Sequence, residues 1–177
     1  MAKKSTEKAK STNHFNERQQ RIYDFLKKHS VAVLSTASKS GQPHGVVIYY
    51  DIDKDFDITF ITKTNTLKHQ NLMENNRLML TVFESRSQTV CQISGSSRDI
   101  KNTEQTQAIT ESILRKSLAL SGPGEIPISK INSGEYVAIR VLPTKIKFSV
   151  YARPKPVSND EIFDSLGWYE LDGKSLS

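Results

Sequence analysis

Residues 31–50 read VAVLSTASKSGQPHGVVIYY, two apolar runs on either side of a polar segment. The first run, 31–36, and the second, 44–50, are rich in the β-branched and aromatic residues that strands favour. The segment between them, 38–43, is dense in serine, glycine and proline, the residues that occupy turns. The stretch therefore predicts an antiparallel hairpin whose first strand is buried.

Further strand patterns follow the hairpin and are joined mostly by short polar segments. They are predicted at 58–62, 77–84, 89–99, 135–142 and 145–151, the last two being either separate strands or one strand that continues past Pro143. Gly95, inside the fifth strand, predicts a bulge or a close backbone approach. Because strands and helices do not alternate, the order does not favour a doubly wound parallel sheet. The order predicts a mostly β protein, a closed antiparallel barrel with flanking helices.

Three segments have helical patterns. An amphipathic helix is expected to end at Lys28 and to be capped by Thr12 or Asn13. A short helix is predicted within 63–76, with the inward-facing residues Leu67, Leu72 and Met73. A longer helix is predicted over 103–120, with an apolar side made by Ile109, Ile113, Leu114, Leu118 and Leu120.

The composition of the 177 residues, 36% hydrophobic and 25% charged, is that of a globular protein. No apolar run approaches the ~20 residues of a membrane span. The lysine-rich N-terminus lacks the apolar core of a signal peptide, so we expect a cytoplasmic protein. The single cysteine, Cys91, excludes an intrachain disulfide framework and a multi-cysteine zinc site.

The formal net charge is +6, and much of it lies in residues 1–13, at Lys3, Lys4, Lys8 and Lys10. Such a basic arm is interpreted either as a contact for nucleic acid or another anionic surface, or as a disordered, solubilising segment. The second interpretation is favoured because the arm has too little apolar content to fold around. Binding of nucleic acid is therefore not expected.

The segment FITKTNTLK, residues 60–68, places hydroxyl groups and lysines where a strand ends and a helix begins. A phosphate dianion needs several donors and positive charge, and a helix N-terminus adds unpaired backbone N–H groups. Lys63 and Lys68 supply charge, and Thr62, Thr64 and Thr66 supply O–H donors. The alternative is an ordinary capped surface helix. The sequence has no Walker-type glycine loop and no G-x-G-x-x-G, so it gives no support to a nucleoside triphosphate site or a Rossmann dinucleotide site.

Other candidate groups are isolated. Three alternating aspartates in the segment 51–57 resemble a calcium loop, but the segment lacks the glycine and glutamate of such a loop. A polar hairpin turn is therefore the favoured interpretation, and no metal site is predicted. His44 begins a strand and is a candidate haem ligand or proton donor. Cys91 is interpreted as a core residue rather than a nucleophile. No catalytic side chain is identified.

The order of these segments resembles the pyridoxamine 5′-phosphate oxidase-like superfamily of flavin mononucleotide (FMN)-binding split barrels. The resemblance is carried by 31–36, the turn at 41–44, 60–62, 66–72, 75–82, 90–95 and 142–147. It implies a six-stranded antiparallel split β-barrel of Greek-key type. It also implies a homodimer with FMN between the subunits, and an oxidoreductase activity. The domain is then expected to span 14–152, between the arm at 1–13 and a C-terminal tail at 153–177.

The resemblance also implies which residues contact FMN. It assigns the phosphate to Thr62, Thr66 and Lys68, with Ile61 and Lys63 beside them. It assigns the flavin ring, partly through backbone groups, to Val46, Val47, Ile48 and Tyr49. Val90 and Gln92 lie on a strand that contributes from the same or the partner subunit.

The chain departs from the family in ways that bear on its substrate. Family oxidases of pyridoxamine phosphate usually carry an arginine at the position of Val46 and a basic arginine–histidine signature near the C-terminus, where this chain offers only Arg153. Vitamin B6 is therefore not the expected substrate. Since some members of the superfamily bind haem or a deazaflavin, a non-catalytic flavin- or haem-binding protein is the alternative function.

Overall fold

The computed structural model describes residues 16–54, 56–121, 136–151 and 164–170. In these ranges the chain forms three helices, α1 (Glu17–Lys28), α2 (Leu67–Glu74) and α3 (Thr103–Ser121). The strands are β1 (Val31–Ala37), β2 (Pro43–Ile52), β3 (Ile58–Lys63), β4 (Arg77–Glu84), β5 (Thr89–Ile100), β6 (Tyr136–Val150) and β7 (Asp164–Glu170).

The strands form one antiparallel sheet in the order β3-β2-β1-β4-β5-β6-β7, and a further pairing of β3 with β6 closes the first six into a barrel. Strand β4 returns to lie beside β1, so β4-β1-β2-β3 is a Greek key. The predicted six-stranded barrel with flanking helices is therefore confirmed. The predicted hairpin is its first element, with Leu34 opposite Val46.

The barrel interior is filled by alternate residues of each strand, as the period of a strand requires. On β1 the buried residues are Ala32, Leu34 and Thr36, and on β2 they are Ile48, Tyr50 and Ile52. Helix α1 covers one part of this core through Ile22 and Leu26. Its C-terminal end is tied to the barrel because the Tyr50 hydroxyl donates a hydrogen bond of 2.8 Å to the Leu26 carbonyl.

The barrel splits where β6 changes partners. Residues 136–141 of β6 pair with β3, whereas residues 145–150 pair with β7. The register against β5 shifts between Ser94 and Gly95, and a Cβ on Gly95 would lie 2.3 Å from the Leu142 carbonyl oxygen. This close approach confirms the prediction for Gly95. The last two predicted strands form one continuous strand, β6. Pro143 has no N–H to donate to the sheet, but it lies at this irregularity, so the strand continues through it.

The ends and faces of the helices differ from the predictions in several places. Helix α1 is capped by Asn16, in a capping box with Gln19, whereas the predicted caps Thr12 and Asn13 lie outside the described residues. Leu72 of α2 is buried as predicted, but Leu67 and Met73 are exposed, which corrects their predicted inward orientation. Asn71 is buried instead, because its amide donates to the Thr36 hydroxyl at 3.1 Å.

Helix α3 packs against β2 and β3 through a narrower face than predicted. Ile113 is fully buried, whereas Leu118 is exposed, contrary to the prediction. Ser117 is buried in its place, and its hydroxyl donates to the Leu114 carbonyl. Asp51, expected in a turn, lies within β2 and accepts hydrogen bonds from Ser112 and Lys116 of α3. No helix among the described residues is long and apolar enough to cross a membrane.

Candidate functional site

The predicted anion site lies at the junction of β3 and α2. Thr62, next to last in β3, is 3% exposed, and its hydroxyl oxygen lies 3.0 Å from that of Thr66. The Thr66 hydroxyl in turn donates to the Lys63 carbonyl at 2.8 Å. The turn at residues 63–66 therefore brings two of the predicted threonines into direct contact, one at the end of the strand and one at the start of the helix.

Thr66 occupies the N-cap position of α2, but its side chain does not cap the helix, because its hydroxyl is engaged with Lys63 and Thr62. Among the described residues, no protein acceptor takes the backbone N–H groups of residues 67–69. Unpaired amides at a helix start attract an anion, and the helix dipole adds to that attraction. The alternative interpretation, an ordinary capped helix, requires a hydrogen bond from a helix N–H to the N-cap side chain, and Thr66 does not accept one.

The two lysines of this segment have different surroundings. The Lys63 ammonium lies 5.3 Å from the centre of the Tyr136 ring, in a cation–π contact. Lys68 is half-buried, and no acidic side chain among the described residues pairs with it. Burial lowers the pKa of the Lys68 ammonium, since water no longer fully solvates the charge. An anion bound at this helix start would compensate for that lost solvation.

The four residues assigned to the flavin ring lie on opposite faces of β2. Val47 and Tyr49 point outward, and Val47 is 64% exposed, whereas Ile48 belongs to the core and Val46 is packed against it. The side chains of Val46 and Ile48 therefore cannot line an outer groove, although their backbone groups remain on the strand. Ile61, on β3, is half-buried.

The outward residues of β2 continue into a row across the sheet. Val47 pairs with Val33, Val33 with Thr81 and Thr81 with Gln92. Val90 also points outward and lies opposite Phe83, which is 60% exposed. The structure thus places Val47, Tyr49, Val90 and Gln92 on one apolar-to-polar surface, here called the outer face.

Sequence reasoning missed two residues, His69 and Asn71, whose side-chain contacts hold α2. His69 lies between the Thr64 carbonyl, 3.0 Å from Nδ1, and the Asp99 carboxylate, 3.6 Å from Nε2. On the other side, Asn71 bonds to Thr36, whose hydroxyl donates to the His44 carbonyl at 3.5 Å. In the sequence, the only hint of a role for His69 and Asn71 was that they closely follow Lys68. Their partners Asp99 and Thr36 are distant along the chain and come close only in the folded barrel.

The remaining candidates have structural contacts. Cys91 is fully buried, and burial raises the pKa of its thiol to about 12, so it is a core residue as predicted. Asp57 pairs with Arg140 at 2.8 Å. Burial disfavours ionisation of Asp51, but the hydrogen bonds from Lys116 and Ser112 outweigh it and lower the pKa of that carboxyl. In the ranges that the structure describes, no group of three or more histidine, cysteine or acidic residues is arranged to hold a metal.

Comparison with known families agrees with this architecture. The sequence pattern of the family described as pyridoxamine 5′-phosphate oxidase matches residues 19–150. The chain belongs to the pyridoxamine 5′-phosphate oxidase family. That match covers the barrel from α1 to the end of β6, and with it every residue of the predicted FMN site. No curated protein matches the sequence significantly.

Solved structures share the fold of this pyridoxamine 5′-phosphate oxidase family member at low sequence identity. General stress protein 26 of Bacillus anthracis is 14% identical, with a TM-score of 0.60 over 86% of this chain and 97% of that one. A pyridoxamine 5′-phosphate oxidase-related, FMN-binding protein of Nostoc punctiforme is 11% identical, with a TM-score of 0.56 over 77% of this chain and 86% of that one. HutZ, the heme storage protein of Vibrio cholerae, is 12% identical, with a TM-score of 0.55 over 71% of this chain and 89% of that one.

Proposed function

We propose that this protein is a cytoplasmic, homodimeric flavoprotein that binds FMN and acts as an oxidoreductase on a small substrate. The observation that carries the proposal is the cluster at the start of α2. There the buried Thr62 hydroxyl and the Thr66 hydroxyl accompany the Lys68 ammonium and helix N–H groups, for which the described part of the chain provides no partner. The membership in the pyridoxamine 5′-phosphate oxidase family and the FMN-binding protein of Nostoc punctiforme support it.

The donors of this cluster fit a phosphate monoester. Thr62 and Thr66 offer hydroxyl groups, and the first turn of α2 offers backbone N–H groups. Lys68 offers a positive charge, with which no carboxylate among the described residues competes. A charge-assisted contact of this kind is stronger than a neutral hydrogen bond. Because one helix start provides one anion site, FMN with its single phosphate fits better than a dinucleotide.

The outer face supports both the flavin ring and the dimer. Val33, Val47 and Phe83 are exposed on it, at 43%, 64% and 60%. Contiguous apolar surface of this kind marks a binding surface rather than a solvated one. A second copy of the chain placed on this face by a two-fold axis would cover it and would complete a groove for a flat apolar ring.

FMN would supply the redox chemistry of the proposed activity by accepting a hydride. The protein's own contribution would be to bind the phosphate, to exclude water from the ring and to orient it. No side chain of the site is assigned a catalytic role. Val46 stands where oxidases of pyridoxamine phosphate usually carry arginine, so the proposed substrate is a small molecule other than a vitamin B6 phosphate.

The decisive experiment compares FMN with riboflavin, which has the same ring but no phosphate. Lys68→Ala should weaken FMN binding about ten- to a hundredfold, because a charge-assisted contact of about 1.5–3 kcal/mol is lost. It should leave riboflavin binding nearly unchanged. Flavin fluorescence titration measures both affinities. The matched control is Lys54→Ala, an exposed lysine in the β2–β3 turn, which should leave both affinities as they are.

Two outcomes would contradict the proposal. If the wild-type protein shows no saturable binding of FMN at micromolar concentrations, it is not a flavoprotein. If Lys68→Ala weakens FMN and riboflavin equally, Lys68 supports the fold rather than the phosphate.

A haem-binding function is the second candidate, since the fold is also that of the heme storage protein of Vibrio cholerae. His44, half-buried near the start of β2, is the histidine predicted as a ligand. The visible spectrum of the protein titrated separately with FMN and with haem separates the two functions. A Soret band that disappears in His44→Ala, without flavin binding, would replace the flavin proposal with the haem one.

A further inference from the structure

His69 is the first residue after Lys68, and both nitrogens of its ring face oxygen atoms. A carbonyl oxygen only accepts hydrogen bonds, so Nδ1, 3.0 Å from the Thr64 carbonyl, must carry a hydrogen and donate it. Nε2 is buried and has no hydrogen-bond partner within the described ranges, but the Asp99 carboxylate lies 3.6 Å away. The ring therefore spans the distance between the turn at the start of α2 and the end of β5.

The contact with the Thr64 carbonyl determines the direction of the next amide. No cis peptide bond occurs among the described residues, so the C=O of Thr64 and the N–H of Asn65 point to opposite sides of one planar group. With the carbonyl held against His69, the Asn65 N–H points away from the ring. No acceptor for this N–H exists in the described part of the chain.

We infer that His69 is a positioning residue that prepares the Asn65 N–H as a donor to the anion bound at Thr62, Thr66 and Lys68. The inference rests on the proposed function, because the anion it serves is the FMN phosphate. It adds to that function a backbone donor and the histidine that orients it.

The distribution of contacts in the turn supports this role. The Lys63 carbonyl accepts from the Thr66 hydroxyl and from the Thr66 N–H, at 2.8 Å and 3.3 Å, so one peptide of the turn is held locally. The Thr64–Asn65 peptide has no such local bond, and His69 provides its only hydrogen bond among the described residues. Loss of the ring would free this peptide to rotate, while the helix behind it stays anchored through Asn71.

Three variants separate positioning from general stability. His69→Asn places an amide nitrogen near the position of Nδ1 and keeps the donor to Thr64, whereas His69→Leu removes it. Gln70→Ala, at an exposed position on the same helix, is the matched control. His69→Leu should weaken FMN binding about tenfold, the effect of one lost hydrogen bond to a charged group. Riboflavin binding should be unchanged, and His69→Asn should restore FMN affinity to within about threefold of wild type.

The Asn65 amide provides a readout that a merely structural role would not change. In the NMR spectrum of the wild-type protein, its proton resonance should shift downfield on addition of FMN and hardly at all on addition of riboflavin. The shift should be absent in His69→Leu and present in His69→Asn and Gln70→Ala. In the flavin-free protein, the Thr66 N–H is bonded to the Lys63 carbonyl, so its exchange should be faster only in His69→Leu.

The outcomes are distinguishable. If His69→Leu weakens both flavins equally and lowers the melting temperature, the ring only supports the fold and the inference is wrong. If FMN affinity is unchanged in His69→Leu, the Asn65 N–H is not a donor to the phosphate. If the wild-type protein fails to bind FMN, the proposed function fails, and unchanged amide exchange in His69→Leu would then refute the positioning role separately.

Discussion

Two neighbouring rows of residues cross the same strands of the barrel and meet opposite surroundings. The inner row, Leu34, Leu80, Ile93 and Ile146, is at most 3% exposed. The outer row, one residue away on each strand, consists of Val47, Val33, Thr81, Gln92 and Lys147. The closed barrel buries the inner row within one subunit, whereas the valines of the outer row remain exposed.

This difference shows how stability and binding are divided between the two faces. Interior residues stabilise the subunit through burial, at roughly 25 cal/mol per Å² of apolar surface. The outer row changes from apolar on β2 and β1 to polar on β5 and β6, which suits the proposed contacts with a partner subunit and with a ring that has polar edges. Substitutions on the inner row should therefore change the free energy of unfolding, and those on the outer row should change binding.

The largest expected effect is at Leu34. Leu34→Ala should lower the free energy of unfolding by about 2–5 kcal/mol, because it leaves a cavity in a closed interior. Val33→Ala, next to it on the outer face, should lower it by less than about 1 kcal/mol. Urea denaturation at one protein concentration measures both. Equal losses would show that the outer face is as much a core as the inner one.

Tyr49 and Tyr50, adjacent on β2, allow the outer and inner faces to be compared through a polar side chain. Burial raises the pKa of the Tyr50 hydroxyl, which donates to the Leu26 carbonyl. Tyr50→Phe should destabilise the protein by about 1–3 kcal/mol, since it leaves a helix carbonyl buried without a donor. Tyr49→Phe should change stability by no more than about 0.5 kcal/mol. A larger effect at Tyr49 than at Tyr50 would contradict the assignment of faces.

A charge on the outer face tests what covers it. The wild-type protein should scatter light as a particle of about twice the 20.0 kDa chain mass. Val47→Glu should weaken association at least about tenfold, because a carboxylate would be buried without a partner. The melting temperature at low concentration should change little. Lys101→Glu, an exposed residue outside the sheet face, is the control. A wild-type monomer at tens of micromolar would refute the dimer.

The smallest effect is expected at the β4–β5 hairpin, which belongs to neither row. Hydrogen bonds from the Ser87 hydroxyl, the Ser87 N–H and the Arg86 N–H lower the pKa of Glu84 from 4.5 to about 2. A lowered carboxyl pKa stabilises the folded state above pH 4.5, and this stabilisation is lost as the pH falls towards 2. Melting temperatures measured between pH 6 and pH 2 should therefore fall slightly more in the wild type than in Glu84→Gln. Parallel curves would show that these bonds do not contribute.

Helix α2 shows where prediction from the sequence succeeded and where it failed. Its position after β3 and the burial of Leu72 followed from the pattern of the residues. The inward orientation of Leu67 and Met73 was wrong, because a helix of eight residues contains too few turns for its apolar period to be informative. The buried position at Asn71 depends on a hydroxyl from β1, which local sequence does not reveal.

Strand β6 shows a different limit. Pro143 suggested a break between two strands, since proline cannot donate to a sheet. The chain instead continues through it, because Gly95 on β5 allows the Leu142 carbonyl to approach closely at a register shift. The glycine was recognised as a point of close approach, but its partner across the sheet was not, since a single sequence carries no information on which strands pair.

The sequence by itself predicted strands β1 to β6, though not β7, together with the barrel class and the position of the threonine–lysine segment. Period-two alternation and turn residues act locally, and the order of the segments identifies the family. The tertiary structure alone decided that Val46 and Ile48 point away from the outer face. It also brought Asp99 to His69 and left Lys68 without a carboxylate partner among the described residues. These contacts join residues up to dozens of positions apart, and their distances depend on how the closed barrel packs rather than on any local preference of the chain.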